Sequence, residues 1–150
     1  MMTDAEVKEG VTNTMLDYCE CLDELRLDDF MELFTDDVEF EEGGMARGKA
    51  HVRAKVRKLL DLFHRCSHHL SNTRVQRTGE NTARASAYIY AWHHMKTGVM
   101  LEIWGRYVDE QRFEGGRWKI AKRNVLMQGS RGMELELARV ALAELPAKAS

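Results

Sequence analysis

Residues 82–94, TARASAYIYAWHH, are the stretch that decides the fold, because their side chains alternate between two kinds of position. Small or apolar residues and one histidine occupy one set of positions: Ala83, Ala85, Ala87, Ile89, Ala91 and His93. Larger aromatic and polar residues stand at the other positions: Tyr88, Tyr90, Trp92 and His94. A period of two is typical of a β-strand with two different faces. The row of alanines predicts that a helix or a ligand comes close to one of those faces.

Outward from this stretch, three neighbouring segments have the same period and are rich in residues that favour strands. The sequence therefore predicts four long antiparallel strands, over residues 66–77, 82–94, 98–113 and 117–128. The breaks between them are short and contain glycine, and they lie at 78–81, 96–98 and 114–116. Short breaks of this kind are typical of hairpins, so we expect a meander.

The N-terminal part of the chain has the spacing of three and four residues that is typical of amphipathic helices. Its first helix opens with a capping box over residues 3–6. The apolar stripe of that helix is formed by Val7, Val11, Met15, Tyr18, Leu22 and Leu25. A shorter helix begins at Asp28, residues 38–41 alternate like a short strand, and a third helix follows Gly48. A last helix is expected over residues 133–145.

Three helices followed by a meander of long strands predict an α+β fold. We expect a cone-shaped α+β barrel, in which the N-terminal helices pack on the concave face of a curved antiparallel sheet. Such packing leaves a conical cavity where a ligand can bind. One domain over residues 1–150 is expected from the chain length, with a C-terminal tail from about residue 131.

The composition excludes several classes of partner. With 22 Lys and Arg against 24 Asp and Glu, the net charge of −2 provides no basic field for nucleic acid. The apolar runs are far shorter than the ~20 residues that cross a membrane, and the N-terminus shows no signal-peptide pattern. We therefore expect a cytoplasmic protein that binds neither nucleic acid nor membranes. Cys19, Cys21 and Cys66 are expected to be small buried residues rather than disulfide partners.

Asp23 and His68 are the candidates for acid–base chemistry. Asp23 lies at the edge of the apolar stripe of the first helix, where a carboxylate must be solvated, paired or used. His68 lies in one of two histidine clusters, residues 64–69 and 93–94. If helix and sheet face each other, the two side chains can meet. A carboxylate behind an imidazole fixes its tautomer and stabilises its cation, which makes the histidine a better general base.

Each candidate also has a purely structural interpretation. Asp23 can be a surface carboxylate, His68 a structural histidine and Tyr18 a residue of the core. A metal site on His64 and His68 would need both residues on one helix, whereas His68 is predicted on a strand, and no pattern supplies a third ligand. The glycine-rich nucleotide motifs, GxGxxG and the P-loop, do not occur in the sequence. We therefore expect no metal and no cofactor.

Over nearly its whole length the chain resembles the SnoaL-like branch of the nuclear transport factor two-like superfamily. The resemblance rests on residues 18–34 for the first helix pair, on 67–72 for a histidine-bearing strand, and on 105–109 with 116–120 and Arg123 for a closing hairpin. In motif the chain is most similar to scytalone dehydratase and the bile acid dehydratases. The hairpin pattern is diagnostic of the fold and silent about function.

Scytalone dehydratase, the bile acid dehydratases and the hexachlorocyclohexane dehydrochlorinase share an Asp–His dyad, and Asp23 and His68 fall on its two positions. By the same resemblance, Tyr18 matches a tyrosine of the bile acid dehydratases, and His93 falls where scytalone dehydratase has its second histidine. The resemblance therefore implies that Asp23 and His68 are catalytic and that Tyr18 and His93 bind substrate. We expect all four side chains to open into one mainly apolar pocket.

Two departures from the family narrow the activity. The active-site arginine of the dehydrochlorinase falls near Val108, so dehalogenation is not expected. Leu22 takes the place of a scytalone dehydratase tyrosine, so that enzyme's own substrate is in doubt.

The residues and the resemblance together imply a cofactor-free lyase (a dehydratase) or an isomerase that acts on a hydrophobic cyclic hydroxy-carbonyl compound. His68 would remove a proton next to the carbonyl while Asp23 orients the ring, and Tyr18 and His93 would hold the carbonyl oxygen. The alternatives are a non-catalytic small-molecule-binding module, a dioxygenase β-subunit-like module, or a polyketide cyclase-like enzyme.

An aromatic band is expected on the outer face of the sheet. It is formed by Tyr88, Tyr90 and Trp92. Because a monomer rarely leaves so large an apolar surface in water, we expect a second copy of the chain to cover it. The resemblance implies a homo-oligomer, either a trimer or a dimer.

Overall fold

The computed structural model describes residues 1–133, within which three helices and six strands follow one another. Their bounds are α1 (Asp4–Asp23), α2 (Leu27–Glu32), β1 (Phe34–Glu41), β2 (Met45–Arg47), α3 (Lys49–Leu60), β3 (Phe63–Arg77), β4 (Thr82–Met95), β5 (Met100–Glu114) and β6 (Arg117–Arg131). The three N-terminal helices and the four long strands that the sequence predicts are confirmed. Apart from Met133, the helix predicted over residues 133–145 lies outside the described residues, as does nearly all of the predicted tail.

The strands form one sheet in the order β2-β1-β6-β5-β4-β3. Strands β3 to β6 are the predicted antiparallel meander. Strand β1 differs from the prediction, because it lies parallel to β6, with Phe40 beside Arg123. Within the described residues the sheet is therefore mixed, and it curves without closing into a barrel. The predicted α+β class and the packing of the N-terminal helices on the curved sheet are confirmed.

Local irregularities bend the sheet around the helices. The register between β5 and β6 shifts just before Gly105. Glycine is required there, because a Cβ atom would lie 2.4 Å from the carbonyl oxygen of Leu126. The register between β3 and β4 shifts between Ser71 and Arg74, where Asn72 has a φ of 51°. Irregularities of this kind increase the local twist and bend, which makes one face of the sheet concave.

Helix α1 packs on this concave face. Its capping box forms as predicted: Thr3 Oγ1 accepts the backbone N–H of Glu6 at 3.3 Å, and Glu6 Oε2 accepts that of Thr3 at 2.7 Å. The alanines of β4 are buried, and α1 contacts β3, β4 and β6. The alanine row is therefore the surface on which a helix lies, which is one of the two occupants that the sequence predicts.

The cysteines are free and buried, as expected: Cys19, Cys21 and Cys66. Burial raises the pKa of the Cys19 and Cys66 thiols to about 12, so both are protonated at neutral pH. Within residues 1–133, no helix is both long and apolar enough to span a bilayer.

Candidate functional site

A cavity of about 180 Å³ lies between the helices and the concave face of the sheet. Most of its wall is apolar, and this part is formed by Leu22, Val56, Leu59, Leu60, Leu62, Phe63, Met95, Leu101, Ile103 and Met133. The polar side chains that reach it are those of Tyr18, Glu42, Cys66, His68, His93 and Tyr107. An engineered apolar cavity of about 150 Å³ already binds benzene, so this cavity has room for a molecule of one or two rings.

Strand register brings two of the predicted histidines together. His68 of β3 lies opposite Ala91 of β4, and Cys66 lies opposite His93. Opposite residues in a sheet point to the same face, so both imidazole rings lie on the concave side. Their centroids are 5.2 Å apart, and the ring planes are nearly perpendicular, at 85°.

Asp23 contacts His68 at two points. Its Oδ1 atom accepts a hydrogen bond from the ring Nδ1 of His68 at 2.6 Å, and its Oδ2 atom accepts the backbone N–H of His68 at 2.9 Å. A carboxylate can only accept, so in the neutral imidazole Nδ1 carries the proton and Nε2 is the basic nitrogen left for a ligand. The side chains are 8% (His68) and 24% (Asp23) exposed, so the contact is largely shielded from water.

Asp23 occupies an unfavourable position for helix stability. It is the last residue of α1, where the final carbonyl groups carry partial negative charge, and no basic residue lies in that turn. Its position is explained by His68, toward which both carboxylate oxygens point. Of the four residues expected to line one pocket, Tyr18, His68 and His93 reach the cavity, whereas Asp23 lies behind His68 and does not.

His93 is 6% exposed, and its Nδ1 atom has no hydrogen-bond partner among the described residues. Burial, with a smaller contribution from the charge of His68, lowers the pKa of His93 to about 4. The ring is therefore uncharged at neutral pH, because its protonated form would be poorly solvated. It can exchange a hydrogen bond with a ligand in the cavity.

Tyr18 packs against a buried ion pair. The guanidinium of Arg123 lies 3.9 Å from the centre of the Tyr18 ring, and its Nη2 and Nε atoms donate to Asp109 at 2.6 and 2.8 Å. Burial is the largest single effect and lowers the pKa of Arg123, but the charge and hydrogen bonds of Asp109, together with smaller contributions from Tyr18 and Tyr107, raise it by more, so the guanidinium stays charged. Burial raises the pKa of Tyr18 far above its usual value, so the phenol remains a hydrogen-bond donor.

Comparison with known proteins places the chain in a family. The SnoaL-like domain matches residues 3–124, which is most of the chain. The chain belongs to the SnoaL-like domain family. The resemblance to the SnoaL-like branch of the nuclear transport factor two-like superfamily is thereby confirmed. No curated protein matches the chain.

Solved structures share the fold of this SnoaL-like domain at low identity. A proposed scytalone dehydratase from Novosphingobium aromaticivorans DSM 12444 has a TM-score of 0.88 at 23% identity, over 95% of this chain and 100% of that one. A proposed aromatic ring hydroxylase from Novosphingobium aromaticivorans gives 0.82 at 22%, over 88% and 96%. The hexachlorocyclohexane dehydrochlorinase LinA-type3 from Novosphingobium barchaimii LL02 gives 0.77 at 16%, over 85% and 90%.

Glu42 is a polar residue of the SnoaL-like domain's cavity that is not among the sequence candidates. It directly follows β1, in phase with Val38 and Phe40, which are fully buried. The predicted strand ends at Glu41, so the alternation was not extended to the next residue. That alternation, continued by one position, is the sequence signal that points the side chain of Glu42 inward.

Cys66, His68 and His93 bring their ligand atoms within 4.8 Å of one another in the SnoaL-like domain, and three protein ligands with an open position are typical of catalytic zinc. Burial together with the charge of Asp23 raises the pKa of the Cys66 thiol to about 12, so the thiol is protonated without a metal. It contacts the carbonyl oxygen of Leu22 at 3.7 Å. A zinc ion bound here would have to displace the thiol proton and that contact.

Proposed function

We propose that this SnoaL-like protein is a cofactor-free lyase or isomerase that acts on a hydrophobic cyclic hydroxy-carbonyl compound. The observation that carries the proposal is the 2.6 Å contact between Asp23 Oδ1 and His68 Nδ1 beside an apolar cavity. This contact supports a histidine whose second nitrogen is a general base directed at a bound substrate. Proton abstraction next to a carbonyl needs such a base and does not itself require a metal or a nucleotide.

His68 removes a proton from the carbon next to the substrate carbonyl through Nε2. The imidazolium that results is stabilised by the Asp23 carboxylate, which also keeps the ring from rotating because it binds the backbone N–H of the same residue. In a dehydratase, the hydroxyl group on the neighbouring carbon then takes up a proton and leaves as water, which gives the unsaturated product. In an isomerase, the proton returns at another carbon.

Tyr18 and His93 hold the carbonyl oxygen as negative charge develops on it. Tyr18 is suited to this role because its phenol stays protonated, and His93 because it is neutral and has an unused ring nitrogen. Hydrogen bonds placed where charge develops are among the strongest contributions to catalysis in a dry site. A direct contact or one bridging water would serve equally.

The test uses 3-hydroxy-1-tetralone, a two-ring β-hydroxy ketone whose size suits the cavity. Loss of water from it gives 1-naphthol, which is fluorescent, and larger and smaller cyclic β-hydroxy ketones extend the panel. The proposal expects the wild-type protein to release dehydrated product from at least one member and His68→Ala to lose at least about 100-fold of that rate. A panel on which the wild type shows no rate above buffer, or on which His68→Ala is unimpaired, overturns it.

The second candidate is a non-catalytic module, either a small-molecule binder or a dioxygenase β-subunit-like partner. The similarity of the fold to that of a proposed aromatic ring hydroxylase supports this second candidate. A binding module would retain a ligand unchanged, and native mass spectrometry of the purified protein would detect that ligand. A polyketide cyclase-like reaction would use the same base on a different substrate.

We propose that a second copy of the chain covers the outer face of the sheet, in a trimer or a dimer. The proposal is supported by a band of aromatic rings there: Tyr88 and Trp104 are 36% and 39% exposed, and the ring centre of Tyr90 lies 5.9 Å from that of Trp104.

We also propose a cytoplasmic location, because free thiols at every cysteine suit a reducing compartment.

A further inference from the structure

Glu42 reaches the cavity from the opposite side to His68. It follows β1, whereas His68 lies on β3, and strands β6, β5 and β4 separate these two in the sheet. Both side chains nevertheless line the same apolar cavity, because the sheet is curved around it. The cavity therefore has a basic nitrogen on one wall and a carboxyl group on another.

The Glu42 carboxyl has no hydrogen-bonding side chain among the described residues. Lys55, His68 and Arg123 act on it only through their charge at a distance. The two permanent cations are engaged elsewhere: Lys55 donates to the carbonyl oxygen of Gly44 at 2.7 Å, and Arg123 is paired with Asp109. Glu42 is half-buried, and a carboxyl group that is neither paired nor hydrogen-bonded in a largely apolar wall is costly to ionise.

The protonation state follows from this environment. Burial raises the pKa of Glu42, and the charges of Lys55, His68 and Arg123 only partly offset that effect. A raised pKa keeps more of the carboxyl group in its protonated form at neutral pH than for an exposed glutamate. A neutral carboxylic acid in an apolar site can donate a proton, which an ionised one cannot.

Given the dehydration proposed above, on which this step rests, we propose that Glu42 is the general acid that protonates the departing hydroxyl group. His68 takes the proton from carbon, the electrons of that C–H bond form the new double bond, and the C–O bond to the hydroxyl breaks. The Glu42 proton passes to the departing oxygen, so that water leaves. Glu42 is then a carboxylate and His68 an imidazolium, and transfer of one proton from His68 to Glu42 through water restores both.

This assignment separates two roles that His68 would otherwise combine. A single base that removes the proton and also protonates the leaving group must reach two different atoms of the substrate. An acid just after β1 and a base on β3 can approach the substrate from two sides, so neither side chain has to move between two substrate atoms.

The first test reads the protonation of Glu42 without any substrate. Infrared difference spectra over a pH series compare the wild type with Glu42→Gln and with Glu39→Gln, a control on β1 whose exposed carboxylate pairs with Arg47. We expect the C=O band of protonated Glu42 to persist to a higher pH than that of Glu39, because the pKa of Glu42 is raised. Loss of both bands at the same pH overturns the proposal.

The second test separates carbon deprotonation from loss of water. Deuterium exchange next to the carbonyl of 1-tetralone in D₂O needs the base alone, whereas dehydration of 3-hydroxy-1-tetralone also needs the acid. Glu42→Gln should lower the ratio of the dehydration rate to the exchange rate by about 100-fold. His68→Ala should lower both rates. An unchanged ratio overturns the role of Glu42. If the wild type catalyses neither reaction, the proposed function itself fails, and the infrared result still reports whether Glu42 is protonated.

Discussion

The carboxylate of Asp23 accepts two hydrogen bonds from His68. One comes from the ring Nδ1–H, at 2.6 Å, and the other from the backbone N–H, at 2.9 Å. A carboxylate that binds the ring alone could move with it, whereas this one is also tied to the strand. The end of α1 is thereby fastened to β3, and the orientation of the His68 ring is set by the fold.

Asp23→Asn should disturb the tautomer of His68 without unfolding the protein. An amide can donate to Nδ1 as well as accept from it, so the Nδ1–H form is no longer selected. Histidine ¹⁵N chemical shifts should show a single Nδ1–H tautomer in the wild type and a shift toward Nε2–H in the variant. Asp17→Asn, on the exposed face of the same helix, is the control and should leave the spectrum unchanged. A wild-type tautomer in Asp23→Asn would show that the carboxylate does not control the ring.

The low pKa of His93 predicts a pH dependence of stability. In the unfolded chain the imidazole binds a proton near its ordinary pKa of 6.5, whereas in the fold it does so only near 4. The unfolded state therefore binds more protons between these values, so the free energy of unfolding falls as the pH falls, by about 3 kcal/mol across the range. Urea denaturation at pH 7 and pH 4.5 should show a smaller loss for His93→Gln than for the wild type. His94→Gln is the control, and an equal loss in all three proteins would contradict the prediction.

The buried pair of Arg123 and Asp109 should behave as a unit. Both side chains are fully buried, so Asp109→Leu leaves a charged guanidinium without its counterion and should cost about 3–5 kcal/mol in the free energy of unfolding. Replacing both, as Asp109→Leu with Arg123→Met, should cost less than the single change. Urea denaturation of the wild type, Asp109→Leu, Arg123→Met and the double variant measures the coupling. If the losses in the free energy of unfolding of the two single variants add up to that of the double variant, the two residues are not coupled.

Parts of the fold and of the candidate site could be predicted from the sequence, and other parts could not, for physical reasons. The strict alternation of 82–94 shows which face is buried because side-chain direction in a strand is a local property. The partner of β1 is not local, so nothing in its own residues indicates the parallel pairing with β6. The contact of Asp23 with His68 was expected through the family resemblance, since spacing along the chain does not give the distance between helix and sheet. Glu42 was missed because the inward-facing alternation continues one residue beyond the strand, which ends at Glu41 both in the prediction and in the structure.

The outer face of the sheet should control assembly. Trp104→Glu places a charge in the centre of the aromatic band and should dissociate an oligomer that forms there. Light scattering at micromolar concentration should show a dimer or trimer for the wild type and a monomer for the variant. Leu16→Glu, at a 48% exposed position on α1, is the matched control and should not change the mass. A monomeric wild type would contradict the proposed assembly.

The central claim is that His68, held by Asp23, is the general base. The most direct measurement is deuterium exchange next to the carbonyl of 1-tetralone, compared between the wild type, His68→Ala and His69→Ala. His69 is the matched control because it is the adjacent residue of β3 and lies exposed on the other face. The account predicts exchange by the wild type and by His69→Ala, and a loss of at least about 100-fold in His68→Ala with its fold intact. Equal exchange rates in His68→Ala and His69→Ala would contradict it.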